Sequence, residues 1–157
     1  MIFEALFRAY AHSTLGQALR RSTWTFAIVE VVHLLALAVL GGVVLVTVAA
    51  ALGLGRARRP VAATVLGLRP VFLGGLVTLL VSGALLVGTN PMKYYFNDAF
   101  RAKMLLLVLA LAATFWLAQQ AGHARERGPL VALRIAAAVS LILWVGVALG
   151  GRLIGLL

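Results

Sequence analysis

The chain has 157 residues, 63% of them hydrophobic and 11% charged, with a mean hydropathy of +1.06. That balance lies outside the range of a soluble globular domain, in which about a quarter of residues are charged. No cysteine is present, which excludes disulfides, iron–sulfur clusters and thiolate metal sites.

A hydrocarbon core about 30 Å thick is crossed by about 20 apolar helical residues, so the chain can supply four spans and little else. The expected fold is therefore all-α: an integral membrane four-helix bundle forming a single transmembrane domain over residues 1–157. The formal charge of +10 resembles a nucleic-acid signal. The basic residues sit in short loops beside apolar runs, however, which points to anionic lipid head groups and not to nucleic acid. The N-terminus lacks a basic leader with a compact apolar stretch and a small-residue cleavage site, so no cleaved signal peptide is expected.

In chain order, Ile2, Phe3, Leu6, Phe7 and Tyr10 recur at helical spacing with Glu4, Arg8 and His12 between them. This pattern predicts an interfacial amphipathic helix within about 2–21, with Ser13 and Thr14 as capping hydroxyls for a second short turn. Trp24 marks the membrane boundary. The first span is expected over about 24–54, and it carries Glu30 and His33 in otherwise unbroken apolar sequence. A basic loop from Arg56 to Arg59, continuing through Pro60 to Arg69 and Pro70, leads to a second span over about 71–88.

The segment Thr89 to Arg101, with Asn90–Pro91, Lys93, Tyr94, Tyr95 and Asn97, reads as an interfacial turn with aromatic anchors that could roof a site. A third span over about 102–120 opens with Lys103, and a short charged loop from His123 to Gly128 leads through Pro129 to a fourth span over about 130–149. Gly41, Gly42, Gly74, Gly75, Gly83 and Gly146 are expected to let helices approach closely. The positive charges tie between the two sides, seven against seven. The loops Arg56–Arg59 and Arg125–Arg127 are the denser clusters, which favours a cytoplasmic placement for them. A multi-pass protein of the bacterial inner (cytoplasmic) membrane is the expectation.

Ionisable side chains inside a span cost about 2.5–3.5 kcal/mol on insertion scales and point to function by default. Glu30 and His33 are three residues apart, on one helix face, where they can share a hydrogen bond or a ligand. A neutral imidazole is a common haem-iron ligand, and a carboxylate one turn away can orient it or hold a proton. The competing reading is a polar pair that satisfies itself inside the bundle and fixes helix register. His33 lies nine residues in from Trp24, about 13 Å below that boundary. Lys103 enters from the same side, and its stem could turn inward, so a shared site is geometrically possible.

His123 lies about 30 Å beyond Lys103 along the third span and is not expected to share an iron with His33. His12 reads as a solvated surface histidine. Trp116 and Trp144 could line a planar cofactor, although aromatics at helical spacing more often pack. No P-loop, dinucleotide fingerprint, zinc-protease motif or nucleophile elbow occurs.

The run LGQALRRSTWTFAIVEVVHLLALAVLGG, joined to NDAFRAKMLLLVLALAATF, resembles a group of uncharacterised bacterial four-helix membrane proteins classed as a domain of unknown function. The resemblance rests on Ser22 and Trp24 before the first span, Glu30 and His33 inside it, and Phe100 and Lys103 opening the third. Where many of those proteins end the first span in an Asp–Leu–Arg-like motif, this chain has Val48, Ala49, Ala50 and Ala51 before Leu52–Gly53. More distantly, a His in the first span and a Lys opening the third are similar to the haem-containing protoporphyrinogen oxidase family and to the membrane part of copper-resistance proteins.

That likeness implies haem b, with His33 as axial ligand, Lys103 as candidate second iron ligand and Glu30 as their polar partner. Electron transfer within the membrane or a haem-dependent oxidation is then expected, with a membrane redox partner or a second copy of the chain as possible company. Whether the chain is an enzyme stays open. The alternative is a non-catalytic structural or assembly subunit of a membrane complex. A small-molecule or ion carrier and a copper site using Met92 or Met104 rank below both.

Overall fold

The computed structural model describes residues 2–21, 23–54, 60–123 and 130–154, and every element among them is an α-helix. In chain order these are α1 (Ile2–His12), α2 (Thr14–Arg21), α3 (Thr23–Ala51), α4 (Val61–Thr89), α5 (Pro91–Phe96), α6 (Asp98–His123) and α7 (Leu130–Ile154). The basic loop Arg56–Arg59 and the charged segment 124–128 lie outside the described residues. Four helices, α3, α4, α6 and α7, are long and apolar enough to cross a membrane. They pack as two tight antiparallel hairpins, α3 with α4 and α6 with α7, joined where α3 meets α7 and α4 meets α6.

The core is a stripe with helical spacing on three of the four long helices. On α3 it is Ala36, Leu40, Val44, Val48 and Ala51; on α6, Leu107, Ala110, Leu117 and Ala121; on α7, Leu133, Ala136, Ala137, Trp144 and Val147. Alanines at the α6–α7 seam are fully covered, which lets the two backbones approach as small residues do in membrane bundles. A polar lock crosses the same seam. Thr114 Oγ1 donates to the Ala110 carbonyl at 2.8 Å and accepts from Trp144 Nε1 at 2.9 Å. With that proton committed, Ser140 is the donor in its 3.1 Å contact with Thr114.

Of the six glycines expected at helix contacts, three are used. A Cβ on Gly75 would meet Leu40 at 3.2 Å, one on Gly83 would meet His33 at 3.2 Å, and one on Gly146 would meet Leu106 at 3.5 Å. Gly41, Gly42 and Gly74 face open space. The glycine that ends α3 has a different role. Gly53 has φ of +73°, its N–H bonds Ala50 O, and the Leu54 N–H bonds Ala49 O, a Schellman ending that satisfies the last carbonyls.

Two expected boundaries need correction. The helix that contains the second expected span, about 71–88, begins ten residues before it: α4 starts at Val61, directly after Pro60, and carries Pro70 inside it. Arg69 and Pro70 read as loop markers, yet residues 61–68 are uncharged and largely apolar, and a membrane helix tolerates a proline whose missing N–H leaves one carbonyl unpaired. The interfacial turn Thr89–Arg101 also contains a helix, α5. Asn90 caps it by accepting from Lys93 N–H, with Pro91 at its first position, and Asn97 caps α6 in the same way through Phe100 N–H.

At this end α1 and α2 lie against α4 and α5. Tyr10 reaches across to donate to Ala84 O at 3.1 Å, packing on Gly88, and Phe7 stacks at 5.5 Å on Tyr95.

Candidate functional site

At the end nearest α5, residues of both hairpins line a cavity of about 710 Å³. Its walls are the N-terminal half of α3, the C-terminal half of α4, α5, the first turns of α6 and the last turns of α7. Glu30, His33 and Lys103, which sequence reasoning singled out, all line it. So do Lys93, Tyr94 and Arg152, set among apolar side chains such as Phe26, Leu34, Leu37, Leu79 and Leu107.

His33 is buried, and its position is fixed from α4. Ser82 Oγ lies 2.6 Å from the Thr78 carbonyl one turn back, so its single proton goes there and its oxygen accepts from His33 Nδ1–H at 2.9 Å. In the neutral imidazole this tautomer leaves Nε2 with the free lone pair. No hydrogen bond to Nε2 is formed among the described residues, and His33 is one of the residues that line the cavity. Gly83 supplies the space for the ring, since a Cβ there would press on Cε1.

Glu30 differs from expectation in one respect. It shares the cavity, but no hydrogen bond joins it to His33; the imidazole bonds Ser82 and also lies against the Leu79 carbonyl. The carboxylate instead acts through space on Tyr94. Burial pushes that phenol above its ordinary pKa, the Thr89 hydroxyl opposes the rise and Glu30 adds to it. Lys103 is half-buried along α7. A Cβ on Gly150 would lie 3.4 Å from the lysine Cβ, and one on Gly151 would lie 3.3 Å from Nζ. The stem is thereby packed on helix backbone while the ammonium stays in the cavity.

The other sequence candidates lie elsewhere. Trp144 is buried in the α6–α7 seam, edge-on to Phe72 at 6.2 Å, and Trp116 is on the outer surface. Neither lines the cavity. His12 is exposed at the end of α1. Met104 lines the cavity and Met92 does not. Among the described residues no cluster of three or more His, Asp or Glu side chains is placed to hold a bare metal ion.

Sequence reasoning missed the role of Ser82, placed Lys93 and Tyr94 in an anchoring turn that could roof a site without singling them out, and left Arg152 as a tail residue. Ser82 carried a signal: with Thr78 it is one of the few hydroxyls in the apolar second half of α4, which pairs with α3.

A bundle of four apolar helices, with a polar-lined cavity between its two hairpins, defines a membrane-type helical protein with one buried imidazole presented to that cavity. The chain belongs to DUF6644, a family of unknown function, which it matches over residues 4–157. No curated protein and no solved structure matches it.

Proposed function

We propose that the chain crosses the bacterial cytoplasmic membrane four times and binds b-type haem in this cavity, for electron transfer or a haem-dependent oxidation. The observation that carries the reading is His33: Nδ1 tied to Ser82, Nε2 unpartnered, and a largely apolar cavity beyond it. Cofactor sites have this character, at volumes of about 300–1,000 Å³ with few polar groups. The absence of a three-residue ligand cluster among the described residues favours a prosthetic group that brings its own ring of donors over a bare ion.

Bound haem would supply reversible one-electron chemistry. The protein's part is binding and tuning. The His33–Ser82 bond holds the imidazole in one orientation and strengthens its ligand nitrogen, as outer partners of metal-bound histidines do. Lys103 stands on the α6 wall and would be the second residue to hold the group, for which its ammonium must lose a proton. Glu30 places an acceptor in the same space that can hold that proton. The leucines of α3, α4 and α6 exclude water.

The test is a reduced-minus-oxidised absorption spectrum of detergent-purified protein, from cells supplied with ample haem, beside His33→Ala. Sharp b-type bands that vanish or shift in the variant support the reading; identical, bandless spectra overturn it. The second reading, a structural or assembly subunit, draws on the same bond, because His33–Ser82 already satisfies two helices without a ligand. On that reading His33→Ala lowers thermal stability and no band is ever present.

A further inference from the structure

The cavity is unequally charged. Lys93, Lys103 and Arg152 face it against the single carboxylate of Glu30. Setting Lys103 against Glu30 leaves Lys93 and Arg152 without an acidic counterpart there. Both belong to the α5 end: Lys93 is on α5 itself, with its backbone held by the Asn90 cap, and Arg152 is in the last turn of α7. Neither makes an ion pair; the salt bridges among the described residues are Arg8–Glu4 and Arg101–Asp98. The walls reached from α3 and α4, by contrast, are leucine-rich beyond Glu30 and His33.

A ligand matched to this distribution has a broad apolar body and acid groups at one edge. We infer that Lys93 and Arg152 form a carboxylate-reading rim that holds the ligand's acid edge at the α5 end, while its apolar body lies along the leucines towards His33. On the haem reading, on which this inference rests, the acid edge is the pair of propionates. The rim then sets which way round the ring sits. Arg152 brings a planar fork suited to a carboxylate, and Lys93 a mobile point charge.

The test is a Soret titration of haem-free protein in a neutral detergent with haem and with its dimethyl ester, in which both acid groups are masked. Wild type is expected to bind haem roughly tenfold more tightly than the ester, the scale of two partly exposed ion pairs. Lys93→Gln and Arg152→Gln should each narrow that preference, the double variant should abolish it, and ester binding should stay at the wild-type level. The ester thus reports on folding. If a variant also loses the ester, Lys93→Arg and Arg152→Lys carry the test, and they must keep the preference. Equal binding of haem and ester by wild type overturns the rim and leaves the His33 reading standing. Binding of neither overturns the haem reading itself.

Discussion

Among single residues, the imidazole of His33 depends on two neighbours that have no chemistry of their own. Ser82→Ala removes the side-chain acceptor for Nδ1–H and leaves the ring only the Leu79 carbonyl, at a cost of up to about 1–3 kcal/mol. A thermal melt of the purified variant should show the loss, and the tautomer should no longer be fixed. Gly83→Ala places a methyl 3.2 Å from Cε1, so it should displace the ring and disturb any ligand at Nε2 while leaving helix content unchanged by circular dichroism.

Tyr94 offers a pH test. Its phenol is pushed up, chiefly by burial, so the folded state keeps its proton after the unfolded state has lost it. Stability is then intact below about pH 10, the unfolded value, and falls as pH rises through the folded pKa. The ultraviolet phenolate signal lost in Tyr94→Phe should titrate above the range of a free tyrosine. At this scale the sequence was informative where residues were out of place: a Glu, a His and a Lys in apolar helices stand out. Ser82 stands out less, because a serine in a membrane helix usually bonds its own backbone, and Ser82 does that too.

At the level of elements, the number of long helices and their order were legible from length and apolarity alone. Their faces were not. Val31, Leu35, Val39 and Leu45 on α3 are as apolar as the buried Leu40 and Val44, yet they face outward. In a soluble helix the outer face would be polar and the stripe would show; where lipid is the surroundings, both faces are apolar and periodicity carries no signal. The start of α4 was lost for a related reason, since Arg69 and Pro70 mark loops in water but not in a membrane helix. The α6–α7 seam yields a prediction of its own. Thr114→Val removes the hub of the Trp144–Thr114–Ser140 lock and should lower the melting temperature, on the scale of about 0.6–2 kcal/mol for an interhelical polar contact in a membrane bundle. The cavity begins about one turn further along α7, at Val147, and none of Thr114, Ser140 and Trp144 lines it, so ligand binding should survive.

For the molecule as a whole, residues of both hairpins and of α5 line one cavity. It could not be read from the sequence, because it depends on how the hairpins pack together and not on any one helix. Depth allowed His33 and Lys103 to share a site and a spacing of three put Glu30 on the His33 face; all three line the one cavity. The proposed orientation, with the Arg56–Arg59 loop cytoplasmic, sets the α5 end on the opposite face. The chain has no cysteine, so Asn97→Cys gives a single label site, which an impermeant thiol reagent should reach from outside intact spheroplasts. Labelling only after lysis would reverse the orientation without touching the cavity. The most direct test of the central claim, that His33 presents its free nitrogen to a haem, is the absorption spectrum of purified His33→Gly with and without added imidazole. The b-type bands of wild type should be lost in the variant and return when imidazole fills the space the side chain has left. Wild-type bands in His33→Gly without imidazole would contradict it.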